Sequence, residues 1–139
     1  MDIPGNVLDA LHRGAVIPAL PLALKKNRKL DEKRQRALIR YYLDSGAGGV
    51  AVAVHTTQFA IRSPEVNLFM PLLEIAREEF DRFNQQSGKP VIRIAGAIGK
   101  TSQALKEAGA AGTLLNHAEK RITLTELNKT IKRADEIGL

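Results

Sequence analysis

The run Val50-Ala51-Val52-Ala53-Val54 constrains the fold more than any other feature. It is unbroken apolar sequence with no alternation. A strand with one wet face alternates apolar and polar residues, whereas a strand covered on both faces does not. The run therefore predicts a strand of a parallel sheet lying between helices. Two further stretches carry a similar signature, Ala15-Val16-Ile17-Pro18-Ala19-Leu20 and Pro90-Val91-Ile92-Arg93-Ile94-Ala95.

Helical signals separate these stretches. Val7 to His12 suits one short turn. Asp31 stands at an N-cap position with Glu32 in the first turn, and Gly46 stops that helix after Leu43. Leu38, Tyr41 and Tyr42 are spaced to share its apolar face. Ser63-Pro64-Glu65 opens a second helical region, which Pro71 is expected to divide in two. Leu72, Leu73, Ile75, Ala76, Phe80 and Phe83 give its second piece an apolar face, and Gly88 ends it. Lys100 to Ala108 forms a third, short helix.

The rhythm β-α-β-α-β-α predicts an α/β protein with right-handed crossovers. The expected architecture is a partial (β/α)8 barrel of about three βα units plus a C-terminal helix. Residues 1–112 make the barrel part and residues 113–139 a helical tail, with a capping box at Thr123-Leu124-Thr125-Glu126. Gly109-Ala110-Ala111-Gly112 leads toward a fourth strand, for which Thr113-Leu114-Leu115 is too short. The 139 residues exclude a complete barrel, which takes roughly 200–250 or more.

Composition removes several function classes. Without cysteine there is no disulfide framework, thiolate metal site or cysteine nucleophile. Aromatics make up 4%, with no Trp, which weighs against a base-stacking platform. The N-terminus lacks a basic n-region and an apolar h-region, and no apolar run approaches about 20 residues. A cytoplasmic location away from membranes is expected.

Ligands of parallel α/β sheets bind beyond the carboxyl ends of the strands. Here those ends are residues 21–26, 55–59 and 96–101. Thr56 and Thr57 could hold a carboxylate through hydroxyls and backbone N–H groups, or could cap a strand end or helix. His55 could serve as a general acid or base, but no carboxylate stands at an obvious spacing to orient it. His12 and His117 are scattered, so no metal-ligand spacing joins the three, and no metal or other cofactor is expected. Gly96-Ala97-Ile98-Gly99-Lys100-Thr101 resembles a phosphate loop, but the position five before Gly99 is Ile94 rather than glycine. Nucleotide hydrolysis is set aside. Lys25, Lys26, Arg28, Lys29, Lys33, Arg34, Arg36 and Arg40 carry much of the net charge of +6. They lack aromatic interleaving and a recognition-helix pattern, so a solvated face is favoured over nucleic-acid binding.

Taken in order, these elements resemble a known family. They are Gly14-Ala15-Val16-Ile17-Pro18-Ala19-Leu20-Pro21, the helix opened by Asp31, Leu43-Asp44-Ser45-Gly46-Ala47-Gly48-Gly49-Val50, Thr56-Thr57, and Lys89-Pro90-Val91-Ile92-Arg93-Ile94-Ala95-Gly96. The order is similar to that of the dihydrodipicolinate synthase/N-acetylneuraminate lyase family. The resemblance implies a (β/α)8 barrel, homo-oligomeric assembly, and lyase or aldolase chemistry through a lysine Schiff base with a 2-keto acid such as pyruvate. It implies a proton-relay role for Thr56 and a hold on the keto-acid carboxylate for Thr57. The family signature G-T-T-G-E is half kept, with His55 before the threonines and Gln58-Phe59 after them.

The family's lysine follows the sixth strand and its tyrosine lies near the fifth, so both are missing here. Tyr41 and Tyr42 fall on the first long helix. Lys100 is the only lysine near the expected active face, in a wet turn that does not suit a Schiff base. The expectation is a fragment or a shortened member of that family, inactive by itself. The alternatives are a non-catalytic binding or assembly module, since sheet edges seek partners, and a basic nucleic-acid-binding domain.

Overall fold

The computed structural model describes residues 3–115. The expected helix at residues 123–137 lies outside them, as does His117. The described elements are α1 (Gly5–His12), α2 (Glu32–Asp44), β1 (Gly49–Val52), α3 (Phe69–Ser87), β2 (Ile92–Ala95) and α4 (Thr101–Leu115). Two 3₁₀ turns, His55–Thr57 and Phe59–Arg62, follow β1.

β1 and β2 pair in parallel, with Gly49 opposite Ile92 and Val52 opposite Ala95. Residues 16–20 flank the other side of β1. Gly48 donates to the Val16 carbonyl at 3.0 Å, Ala51 to Pro18 at 2.9 Å, and Leu20 to Ala51 at 2.9 Å. The expected first strand is therefore in place, but it is reduced to one parallel bridge, Ala19 with Ala51. Pro18 has no N–H with which to extend the ladder. The fold is α/β, a parallel sheet whose strands are joined by helical crossovers, as in part of a (β/α)8 barrel.

Asp31 caps α2 as its position predicts. Its carboxylate accepts from the Arg34 amide at 3.1 Å and pairs with the Arg34 guanidinium at 2.6 Å. The amide of Arg34 foremost, then its side chain, holds the Asp31 carboxyl below its usual pKa. The buried stripe of α2 is Gln35, Ile39 and Leu43, with Leu38 and Tyr42 partly covered. Tyr41 is 66% exposed, contrary to expectation. It stands two residues from Ile39, about 200° around the helix.

α3 is one helix, not two. Pro71 is its third residue, in the first turn, where a missing N–H costs no intrahelical bond. Ser63 to Val66 make a turn instead of opening the helix, since Asn67 takes φ +45° before α3 starts at Phe69. α4 also runs longer than expected, through Gly109 and Gly112 to Leu115. Glu107 and Ala111, one turn apart, are both buried on it.

The core gathers Leu20, Ile39, Val50, Val52, Ile61, Leu72, Leu73 and Phe80, all fully buried. A buried carboxylate ties α2 to α3. Glu79 is 2% exposed and accepts from Arg40 at 2.7 Å and 2.8 Å, Arg36 at 3.3 Å and Arg82 at 3.0 Å. Burial pushes the Glu79 carboxyl up, but the hydrogen bonds from Arg40, Arg36 and Arg82 outweigh it, so its pKa lies below the usual range.

Candidate functional site

The carboxyl ends of the strands converge on one arginine. β1 stops at Val52, and Ala53 turns with φ +59°, a left-handed conformation that a non-glycine residue rarely adopts. Gln58 takes φ +78° between the two 3₁₀ turns. Such outliers cost about 1–3 kcal/mol each and cluster at functional sites. The second turn carries Arg62, whose side chain is 7% exposed.

Arg62 spans both strand ends and α4. Its Nη2 donates to the carbonyls of Ala53 at 3.0 Å and Gly96 at 2.8 Å. Its Nε donates to Glu107 Oε2 at 2.8 Å. The guanidinium carbon lies 4.7 Å from the Phe69 ring centroid and 6.0 Å from that of Phe59. Glycine is required at position 96, because a Cβ there would stand 2.6 Å from the Ala53 oxygen.

Glu107 completes the cluster. It also accepts from the Ile98 amide at 3.1 Å and from Gln103 at 3.0 Å. Burial raises its pKa, while Arg62, Gln103 and the Ile98 amide lower it by more, so the carboxyl stays ionised. The loop that resembles a phosphate cradle thus already holds a carboxylate, and a bound phosphate there would face like charge. Lys100, in the same loop, is exposed.

The paired threonines separate. Thr56 is exposed, whereas Thr57 is fully buried and its hydroxyl donates to the Leu20 carbonyl at 2.6 Å. That bond ties the first 3₁₀ turn to the end of the first strand. His55 is exposed, with its ring edge-on to Phe59 at 5.5 Å between centroids. Gln35 fixes the neighbouring strand exit, since it donates to the Pro21 carbonyl at 3.0 Å and accepts from the Ala23 amide at 2.8 Å.

The basic residues divide by surroundings. Arg34, Arg36 and Arg40 are ion-paired, while Lys25, Lys26, Arg28 and Lys29 form an exposed hairpin tip. An open depression of about 450 Å³ lined by Glu32, Lys33, Arg36 and Arg40 lies on α2, not at the strand ends. Among the described residues no group of three or more His, Cys, Asp or Glu is placed to hold a metal ion, and no helix is long and apolar enough to cross a membrane.

Sequence reasoning missed Arg62 and Glu107. They are 45 residues apart, and no spacing rule links an arginine in a 3₁₀ turn to a glutamate within a later helix. The turn residues before Arg62 were the available signal, and the two threonines drew it instead.

Comparisons with known proteins point to a different family from the one the motifs resemble. The chain is 60% identical over 35 residues to the triosephosphate isomerase of Methanosarcina barkeri, covering 25% of this chain and 16% of that protein. It is 54% identical over 37 residues to that of Methanobacterium bryantii, covering 27% of the chain and 16% of the relative. With the triosephosphate isomerase of Metallosphaera sedula it shares 40% over 52 residues, 37% of the chain and 22% of the relative. The chain thus spans 16% to 22% of these relatives' length. No family model and no solved structure matches it.

These relatives overturn the resemblance to the dihydrodipicolinate synthase/N-acetylneuraminate lyase family. With it go the lyase and aldolase chemistry and the lysine Schiff base with pyruvate or another 2-keto acid. The physical reason lies in what carried the likeness. Glycines before strands, an N-cap before a helix and polar residues at a strand end are demanded by any βα unit, so different barrel families share them.

Proposed function

We propose that this chain contributes part of a triosephosphate-isomerase-type barrel and acts on triose phosphates only once further βα units close its sheet. The observation that carries the proposal is the local identity of 54–60% with several triosephosphate isomerases over 35–37 residues. The described geometry agrees with the need for completion. Isomerisation moves a proton between adjacent carbons, which takes a base of well-matched pKa and a group that polarises the carbonyl. Glu107 is the buried carboxylate at the strand ends, and its three hydrogen bonds keep it too weak a base.

Rescue tests this. The Methanosarcina barkeri enzyme with its 35 matched residues deleted is co-expressed with the chain, and isomerisation of glyceraldehyde 3-phosphate is followed in a coupled assay. The chain alone should match the buffer rate, and the pair should exceed it. No gain in the pair overturns the kinship as a functional one, and turnover by the chain alone overturns the need for completion.

A further inference from the structure

Arg62 leaves one nitrogen unused. A guanidinium has five N–H donors. Nε–H goes to Glu107, and Nη2 goes to the carbonyls of Ala53 and Gly96. Nη1 is buried and has no hydrogen-bond partner among the described residues. Donors left unsatisfied in a buried site cost about 1–3 kcal/mol, and such a group in a folded protein calls for an acceptor.

Three independent features meet at this nitrogen. It belongs to a side chain that is 7% exposed. That side chain is anchored at the carboxyl ends of two parallel strands, where α/β sheets take their ligands. The backbone at the anchor is strained at Ala53 and nearby at Gln58. Strain and an unmet donor in one place are costs that a ligand can offset.

We infer that Arg62 Nη1 is the donor of a small-molecule site that accepts an uncharged oxygen, the carbonyl or hydroxyl of a small polyol or keto compound. Charge selects this class. Glu107 already balances Arg62 at 2.8 Å, so a second anion would be buried beside a carboxylate whose arginine partner is already paired. Geometry agrees. Bidentate binding of a carboxylate or phosphate uses two guanidinium nitrogens, and here only one is open. Phe59, 44% exposed, lies on the guanidinium from the solvent side of the fold. The inference rests on Arg62 and its neighbours and holds whether or not the chain is kin in function to the isomerases.

Nitrogen-detected NMR of the arginine side chains in the whole chain tests it, with dihydroxyacetone and inorganic phosphate as separate probes. A saturable shift of the Arg62 Nη resonances with dihydroxyacetone, and none with phosphate, is expected. A shift with phosphate alone overturns the choice of an uncharged acceptor. No shift with either probe overturns the site and leaves Nη1 to water or the Phe69 ring. Arg62→Lys deletes the guanidinium together with its resonances, so binding is read there from the ligand by saturation-transfer NMR, and the dihydroxyacetone signal given by the wild type should be lost. Should that variant fail to fold, the wild-type titration still decides, and Phe59→Ala should raise solvent exchange of the Arg62 protons several-fold while leaving the Glu107 pair intact.

Discussion

Replacing Thr57 by valine separates a structural hydroxyl from a ligand-holding one. The side chain is fully buried, and its Oγ1 donates to the Leu20 carbonyl at 2.6 Å. Valine keeps the shape and removes the donor. The Leu20 carbonyl then loses that bond in a dry environment, at about 1–3 kcal/mol. The extra methyl returns less than about 1 kcal/mol through apolar burial. The net loss should be about 1–2 kcal/mol. At roughly 3–6 °C per kcal/mol for a chain of this size, thermal unfolding by circular dichroism should shift down by about 3–12 °C. Thr57→Ser keeps the donor and loses one methyl, so it should cost only about 1 kcal/mol. Thr56→Val, at an exposed position, should stay within about 0.5 kcal/mol of wild type. If Thr57→Val melts with the wild type, the bond to Leu20 contributes nothing and the hydroxyl is free to serve a ligand.

Gly96→Ala should destabilise by about 1–3 kcal/mol in urea unfolding, because the new Cβ meets the Ala53 carbonyl oxygen at 2.6 Å and neither backbone can yield easily. Gln58→Gly should stabilise by about 0.5–1 kcal/mol in the same assay, since φ +78° suits glycine and the glutamine side chain is exposed. Acid should unfold the chain through Glu79 and Glu107, whose pKa values are lowered in the fold. Their contribution is fully present above the unfolded carboxylate pKa of about 4.3 and is lost as pH falls through the lower folded values. The urea midpoint should therefore be flat from neutrality down to about pH 5 and fall below about pH 4.5. The double variant Glu79→Gln/Glu107→Gln should flatten that fall while lowering the plateau.

Much of the frame was legible in the sequence. The apolar run at Val50 became β1, Asp31 capped α2, and Gly88 ended α3 with φ +66°. These outcomes rest on local chemistry: an apolar pattern, a side-chain acceptor and a residue that tolerates positive φ. The readings that failed depended on more than neighbours. Pro71 reads as a breaker, yet it sits harmlessly in the first turn of α3. Gly109 and Gly112 read as the approach to a strand, yet packing of α4 on α3 carries the helix through them. Family was the hardest matter, because the motifs shared by all βα units say little about which barrel they came from.

The sequence by itself determined the class of fold, the order of its strands and helices, and the absence of cysteine chemistry. Periodicity, caps and turns act over a few residues, so they can be read along the chain. Only the tertiary structure decided where the candidate site lies. It brought Arg62 to Ala53, Gly96 and Glu107, and it turned Thr57 inward while leaving Thr56 exposed. Those relations depend on how far one strand end lies from another and on which donors find acceptors in a dry interior. That accounting is settled only when distant segments meet.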